Sequence, residues 1–440
     1  MKTHNLVIND PIHGVMEFAD SNSQSIRTII NHPLFQRLRH IKQLGMGDLV
    51  FPGAVHTRFN HSLGVAFLAN RIIEQTLPLE KKREWQWIVM LISLLHDMGH
   101  GPFSHAFERL TQEVGLTSIT HEDWTPYFVE EISHVLDSET LKVILPLMTK
   151  SENLQGEFQF ISDLISSQLD ADRLDYLLRD SYFCGVSYGK YDLNWLLHCM
   201  VAITDNENRL RLGVSFKGIG AVESFLMARR LMTQSVYHHP IIYLLQSLTM
   251  AFLAECCASI QESSMQALCP PLLKKFLEGL AQYRDKKINK LQFMKSYFDV
   301  YKRLTDHMIY QWIETVVSNQ KGLPQKVVDL GERLYHRKLP KIFRIPKGKE
   351  TIALSIVETF KKDHDYAFWQ VGLEGGKFIT YEDSKEKILV KDKGPIEITQ
   401  FSLLMDALVN QKESLYYFYL DTNLLSQKPI KDLMCRLECF

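Results

Sequence analysis

The stretch Leu94-Leu95-His96-Asp97-Met98-Gly99-His100-Gly101-Pro102-Phe103-Ser104-His105 limits what this chain can fold into more than any other. Apolar residues dominate Ile88 to Leu95 and predict a buried helix. An adjacent His-Asp pair closes that run, and Gly99, Gly101 and Pro102 predict a stop just after the pair. Inside an intact helix, neighbours diverge by about 100° and cannot easily share an ion. At a helix end, irregular backbone can aim both at one point. Asp97 also needs a partner, because an unpaired buried carboxylate is costly.

The rest of the chain gives that helix a setting. With 440 residues and 45% hydrophobic content, there is enough apolar material for one large core and a smaller one. Leu6 to Phe18 mixes β-formers with Asn9-Asp10-Pro11 and His13-Gly14, which predicts a short strand and turn. From Ser25 to about Gln320 apolar residues recur at three- and four-residue steps, as in Ile26, Ile29, Ile30 and Phe67, Leu68, Ile72, Ile73. That pattern predicts a helical globule of roughly 300 residues. After Leu323-Pro324 the texture changes. Val327 to His336 reads as one more helix. Phe368 to Val371, Lys377 to Tyr381, Lys387 to Val390, Ile396 to Ile398 and Leu415 to Leu420 read as short strands, with turns at Gly375-Gly376 and Asp392-Lys393-Gly394. The expected fold is mostly α: a helical core over 1–324 and a C-terminal α+β appendage over 325–440.

Composition narrows the function classes. The net charge of -1 gives no basic footprint of a dedicated nucleic-acid binder. Arg337, Lys338, Lys341, Arg344, Lys347 and Lys349 do cluster, which reads first as a solvated or interface face and second as a polyanion contact. Seven scattered cysteines and no signal-peptide pattern at Met1-Lys2-Thr3-His4-Asn5 read as a reduced, cytoplasmic protein. Cys256-Cys257 reads as buried structure. Cys435 and Cys439 stand at helical spacing, where a redox bridge is a minor alternative. Pro240 to Ile260 is the longest apolar stretch, but Gln246, Ser247, Thr249 and Glu255 make it a core helix rather than a bilayer helix.

Four residues are candidate metal ligands: His61, His96, Asp97 and Asp172. His61 stands at a predicted helix start and Asp172 inside a predicted helix. Two imidazoles and two carboxylates suit Fe, Mn, Zn or a similar divalent ion and leave room for water. Singly, each has a plainer reading. A lone His near an apolar helix is usually a satisfied core or surface residue, and Asp172 in a charged helix is usually solvated.

In order, His61, His96-Asp97 and Asp172 resemble the H…HD…D pattern of the HD-domain phosphohydrolase superfamily. Asn9-Asp10-Pro11-Ile12-His13-Gly14, Phe35-Gln36-Arg37-Leu38-Arg39, Ile41-Lys42-Gln43-Leu44-Gly45, Phe51-Pro52-Gly53-Ala54, Arg58 to Val65, His96 to His105 and Asp172 to Asp180 are similar to the deoxynucleoside triphosphate triphosphohydrolases of the SAM-and-HD-domain type. The similarity is dense over roughly the first 240 residues. No SAM domain is expected, since the pattern begins near Asn9. The resemblance implies a metal-dependent enzyme that cleaves a dNTP into a deoxynucleoside and inorganic triphosphate. It also implies a homo-oligomer, dimer or tetramer.

The resemblance also implies roles for individual residues. The ion acidifies water far below about 15.7, and a general acid protonates the departing O5′. His105 is the first candidate for that donor, with Glu108 or His121 orienting it and His100 next to the phosphorus centre. Arg58, Arg173 and Arg229 match phosphate contacts, with Mg²⁺ on the triphosphate tail. Arg173 stands where the family commonly has lysine. Gln43 and Asp180 would bind the 3′-OH, Tyr176 and Tyr237 would wall the sugar, Tyr237 would leave no room for a 2′-OH, and Leu44 would face the base. His239 also matches, with an ordinary helix-end cluster at Tyr237-His238-His239-Pro240 as the lesser alternative.

A regulatory nucleotide site is only partly represented. Asn9, Gln36, Arg39, Val50, Phe51 and Lys217 match, but Leu6, Asn31 and Ser215 stand where the family has Lys, Asp and Arg. Each lost charge-assisted contact is worth about 1.5–3 kcal/mol, so guanine-nucleotide activation is expected to be weak or altered. Thr233 stands where a pocket histidine is frequent. The competing readings are another HD-type phosphoesterase, acting on a nucleoside monophosphate, an oligonucleotide or a signalling nucleotide, and a nucleotide-sensing or nucleic-acid-binding module.

Overall fold

The structure is a computed structural model and describes residues 5–18, 20–148, 158–364, 370–383 and 387–438. It opens with an antiparallel hairpin of β1 (Leu6–Asp10) and β2 (Gly14–Phe18), in register Asn9 opposite Val15. Met16 and Phe18 on one face are buried, while Val7 and Val15 on the other are exposed.

Beyond this hairpin the chain is mainly helix, and the mostly-α expectation holds. The central element is Arg58–Thr76, which is buried on nearly every side through Phe59, Leu63, Val65, Leu68, Ile72 and Ile73. It packs against Leu79–Leu95 and Ala171–Phe183. Its N-terminus, the C-terminus of Leu79–Leu95 and the N-terminus of Ala171–Phe183 all carry candidate metal ligands. The helix before the His-Asp pair stops slightly earlier than its glycines suggest. Leu95 is its last residue, His96 is the C-cap, and the chain turns through Met98 N to Leu95 O at 3.1 Å and His100 N to Asp97 O at 3.1 Å.

Pro240–Ala258 is long and apolar enough to cross a membrane by length and composition alone, but 67% of its apolar window is buried in the fold. It packs against Gln325–Tyr335, Pro271–Arg284 and His105–Glu113. Cys256 and Cys257 are buried along it. Cys435 is exposed, and Cys439 lies outside the described residues.

The stretch from Ser25 to Gln320 is mostly helical, as expected, but it is not helix alone: β3 (Met200–Thr204) and β4 (Leu210–Ser215) form a hairpin within it. Its turn carries Asn208 at φ +60, and Asp205 accepts from the backbone N–H groups of Glu207 and Arg209. One sequence expectation is corrected: there is no turn at Gly375-Gly376. After β5 (Lys341–Arg344), one continuous strand, β6 (Val371–Ile379), runs straight through both glycines, and the expected strand start at Phe368 lies outside the described residues. A Cβ on Gly375 would lie 2.1 Å from the Leu415 carbonyl oxygen, and one on Gly376 would lie 2.8 Å from the Tyr243 hydroxyl. The pair marks close packing rather than chain reversal.

The remaining strands are β7 (Leu389–Lys391), β8 (Pro395–Glu397) and β9 (Lys412–Leu420). They enter two sheets. One has the order β5-β9-β6 and shields a small core with Ala353, Val357, Phe360, Ile430 and Leu433. The other has the order β3-β4-β7-β8, with β7 parallel to β4. Residues after 325 therefore complete a sheet begun near residue 200, and Ile388, Val390 and Ile398 join the main core.

Candidate active site

Each metal-ligand candidate is aimed by local chemistry. Thr57 and Asn60 form a capping box that starts the Arg58–Thr76 helix and puts His61 in its first turn. Asp170 caps Ala171–Phe183 by accepting from Arg173 N at 2.7 Å, which fixes Asp172 two residues later. His96 Nδ1 donates to the Ser93 carbonyl at 2.7 Å, and His61 Nδ1 donates to Asp175 Oδ2 at 2.8 Å. In the neutral form of each ring Nε2 is thus the nitrogen with the lone pair.

Those two Nε2 atoms and an Asp172 carboxylate oxygen all lie within 4.8 Å of one another. His61 Nε2 is 2.9 Å from Asp172 Oδ1 and 3.6 Å from Asp97 Oδ2. His96 Nε2 is 3.4 Å from Asp97 Oδ1. Both Nε2 atoms are buried and have no properly directed hydrogen bond among the described residues. Convergent orphan imidazole nitrogens beside two carboxylates fit a divalent ion. Electrostatics agree. Burial alone would depress the His61 imidazole, but Asp172 and Asp175 outweigh it and push the group up to about 10. Burial opposes ionisation of Asp97, yet Arg58, His96 and His100 hold its carboxyl well below the usual range. The cluster gathers negative charge that only a proton or a cation can offset.

A second group stands beside it. Glu108 Oε1 lies 2.6 Å from His121 Nδ1, 3.4 Å from His105 Nδ1 and 3.7 Å from His100 Nδ1. Burial opposes its charge, but hydrogen bonds from His105 and His121 hold this carboxyl well below the usual range. His100 is fully buried and stacks on His121 with centroids 3.8 Å apart. Burial, the Arg58 charge and His121 push it well below the ordinary imidazole value, so it is neutral near pH 7. His105, by contrast, has a side chain 66% exposed.

The loop carrying these histidines is strained. Phe103 and Ser104 are both left-handed, at φ +59 and +57. Asp306 Oδ1 accepts from Phe103 N at 2.7 Å, and its Oδ2 accepts from Lys42 N at 2.9 Å. Ser104 Oγ donates to the Lys42 carbonyl at 2.8 Å and accepts from Arg58 Nε at 3.0 Å. One buried carboxylate thereby ties the loop before His105 to the segment before Gln43.

His96, Asp97 and Asp172 of the first group and His100, His105 and His121 of the second line a cavity of about 620 Å³, within the size range of small-molecule sites, while His61 and Glu108 stand behind them. Tyr176 and Tyr237 stand edge to face in its wall, with centroids 5.9 Å apart. Tyr237 donates its hydroxyl to Asp180 Oδ2 at 2.9 Å, and His56 Nε2 lies 2.7 Å from Asp180 Oδ1. Gln43 and Leu44 also line it, and Gln43 Oε1 is buried without a hydrogen bond among the described residues.

The expected phosphate arginines are differently placed. Arg58 is buried and ion-paired with Asp97 at 2.7 Å. Arg173 lines the cavity while donating to the Ser167 carbonyl at 2.6 Å. Arg229 donates to Gln168 Oε1 at 2.8 Å and is not among the lining residues. His239 is not there either. It caps the Pro240–Ala258 helix by accepting from Ile241 N, with its ring 5.7 Å from that of Phe51.

The residues matched to a regulatory nucleotide all lie outside this cavity. Asn9 and Lys217 are exposed, and Val50 and Phe51 are half-buried. Gln36 donates to the Ile30 carbonyl, while Arg39 donates to Gln36 and lies 3.5 Å over the Phe59 ring.

Sequence reasoning missed Asp175, Arg179, His13, His56 and Asp306. Asp175 and Arg179 did carry a signal, an i,i+4 opposite-charge pair one turn beyond Asp172. His13, His56 and Asp306 reach their partners only through tertiary packing.

Comparison with known proteins places these features. Residues 58–180 match the HD domain and residues 192–270 the HD associated region. The uncharacterized protein YwfO of Bacillus subtilis is 37% identical over 242 residues, covering 53% of this chain and 52% of that protein. The deoxynucleoside triphosphate triphosphohydrolase SAMHD1 homolog of Dictyostelium discoideum is 41% identical over 194 residues, covering 41% of this chain and 37% of that one. A phosphohydrolase crystal structure from Bacteroides thetaiotaomicron superposes with a TM-score of 0.75 at 27% identity, covering 95% of this chain and 100% of that one. The chain spans about half the length of the first curated relatives it matches. With a metal-ready His-Asp cluster at its helix ends, this chain carries an HD domain followed by an HD associated region.

Proposed function

We propose that this protein hydrolyses deoxynucleoside triphosphates to deoxynucleoside and inorganic triphosphate. The observation that carries this reading is the tyrosine and aspartate cage, Tyr176, Tyr237 and Asp180, in the same cavity as the metal-ligand candidates. A simple phosphatase has no need of a walled sugar site. Similarity to proteins named as deoxynucleoside triphosphate triphosphohydrolases supports it.

His61, His96, Asp97 and Asp172 would hold a divalent ion such as Fe, Mn or Zn. Such an ion supplies Lewis acidity and brings the ionisation of water toward neutrality. The protein groups do the rest. Arg173 receives the phosphate tail, with Arg229 nearby and Mg²⁺ as the tail's counter-ion. Arg58 holds Asp97 in place and adds positive charge behind the α-phosphate. His105 turns Nδ1 toward Glu108, which leaves Nε2 to protonate the departing O5′. General acid catalysis of this kind contributes about 10²–10⁴-fold. Glu108 offsets the charge on His105, His121 holds Glu108 in place, and His100 stays neutral beside the phosphorus centre. Gln43 and Asp180 take the 3′-OH, Leu44 meets the base, and Tyr237, pinned through its hydroxyl, leaves no space for a 2′-OH. A homo-oligomer, dimer or tetramer, and a cytoplasmic location belong to the same reading.

The test is product analysis. The full chain is incubated with each dNTP and Mn²⁺ or Mg²⁺, with and without added nucleotides, and the products are separated by chromatography. Deoxynucleoside with intact triphosphate is expected. Release of monophosphate, or turnover only of oligonucleotides, would overturn the reading in favour of another HD-type phosphoesterase.

A further inference from the structure

Asp175 is fully buried and serves two imidazoles from opposite sides. Its Oδ2 accepts from His61 Nδ1 at 2.8 Å, and its Oδ1 lies 2.6 Å from His13 Nε2. Arg179 spans both oxygens, with Nε to Oδ2 at 2.8 Å and Nη2 to Oδ1 at 2.9 Å. The same guanidinium reaches back to Asp10, with Nη1 to Oδ2 at 2.8 Å and Nη2 to Oδ1 at 3.2 Å. All five side chains are essentially shut off from solvent.

His13 and Asp10 belong to the N-terminal hairpin, which precedes the HD domain by about 40 residues. Asp10 Oδ1 accepts the backbone N–H groups of Ile12 at 2.9 Å and His13 at 3.0 Å, and Gly14 supplies the left-handed residue that closes the turn. The carboxylate that grips Arg179 therefore also builds the turn that presents His13. The His13 ring packs 5.7 Å from Phe67 on the Arg58–Thr76 helix. That helix has made room for the network, since a Cβ on Gly64 would lie 1.9 Å from Asp175 Oδ1. Gly64 is the concession that lets the carboxylate approach His61 from behind.

We propose that the N-terminal hairpin is a working part of the metal centre, with His13 and Asp10 acting through Asp175 to hold His61 in its ion-binding tautomer. His13 occupies one oxygen of Asp175, so the other is left to take the His61 Nδ1 proton and keep Nε2 bare. Asp10 balances Arg179, so the guanidinium does not draw Asp175 away from His61. Both are positioning residues and touch neither ion nor substrate. Carboxylate partners of this kind typically change metal affinity by about 10–100-fold when removed. The inference rests on His61, His96, Asp97 and Asp172 being the metal ligands.

The experiment measures Mn²⁺ affinity of the full-length apo-protein by competition with a chromophoric chelator, beside thermal unfolding of the same samples. His13→Ala is expected to weaken Mn²⁺ binding about 10-fold or more. His13→Gln, whose amide can still donate to Asp175 Oδ1, is expected to recover most of that loss. Asp10→Asn keeps the acceptor of the turn and removes only the charge opposite Arg179, so it gives the reading if His13→Ala does not fold, and a several-fold loss is expected. Folded His13→Ala or Asp10→Asn protein that binds Mn²⁺ as tightly as wild type overturns the inference, as does a His13→Gln loss equal to that of His13→Ala. His61→Ala protein that binds like wild type overturns the metal-site reading itself, and this inference with it.

Discussion

Arg58 Nη1 lies 2.7 Å from Asp97 Oδ2, and both side chains are at least 95% buried. The guanidinium that the resemblance assigns to phosphate is thus already committed to a carboxylate of the metal cluster. Breaking a buried pair from one side leaves an uncompensated charge, at about 3–5 kcal/mol. Arg58→Ala should therefore lower the unfolding free energy of the apo-protein by about that amount, read from urea denaturation. A loss well under about 1 kcal/mol would mean that water reaches Asp97 and screens its charge.

Loss of function at the His96-Asp97 pair should not require loss of the fold, although Asp97→Ala breaks the same buried ion pair as Arg58→Ala. His96→Ala and Asp97→Ala should each abolish turnover and reduce bound divalent ion, while the helical circular dichroism of the protein persists. Wild type stripped by a chelator should regain activity on adding back a transition metal. Elemental analysis showing full metal content in the inactive variants would contradict this assignment.

Asp306 should give stability a distinctive pH dependence. Burial pushes its carboxyl up to about 7 from an ordinary 3.8, against the backbone N–H groups of Lys42 and Phe103 that favour the ionised form. A carboxyl that holds its proton more tightly when folded stabilises the fold below about pH 4, and this contribution is lost as pH rises through about 7. Asparagine does not titrate. The stability of wild type relative to Asp306→Asn should fall between about pH 4 and about pH 7, by up to about 4 kcal/mol. Denaturant midpoints at stepped pH check this, and a constant difference across the window would refute it.

Sugar selection should rest on Tyr237 and Asp180. Tyr237→Ala should raise turnover of ribonucleoside relative to deoxynucleoside triphosphates, because it removes the ring proposed to fill the 2′ position. Asp180→Asn should lower kcat/KM for dNTPs by roughly 10–100-fold, the size of about 1–3 kcal/mol of lost polar contact. Unaltered selectivity in Tyr237→Ala would mean that another wall excludes the 2′-OH.

What could be read from the sequence was what depends on short spacing. The apolar run to Leu95, the helix start at His61 and the three- and four-residue spacing of the long helices each specify local structure from neighbouring residues. The resemblance then supplied the union of His61, His96, Asp97 and Asp172. The β3–β4 hairpin was hidden because Met200–Thr204 is as apolar as the helices around it. Gly375-Gly376 was misread because close approach by Leu415 and Tyr243 is a tertiary fact, and a glycine pair is otherwise a turn signal. The same limit hid His13 and Asp306. Each lies more than 150 residues from a partner it bonds, as in His13 with Asp175 and Asp306 with Phe103.

The parallel pairing of β7 with β4 sets how the polypeptide can be shortened. Gly213, Val214 and Ser215 bond to a segment some 175 residues further on, so ending the chain near residue 324 would strip β4 of its neighbour. The stump would display a row of open N–H and C=O groups and lose the cover given by Ile388 and Val390. Such a fragment should self-associate or precipitate on expression even though its catalytic motifs are intact. Size-exclusion chromatography showing a stable monomeric fragment would prove the tail dispensable.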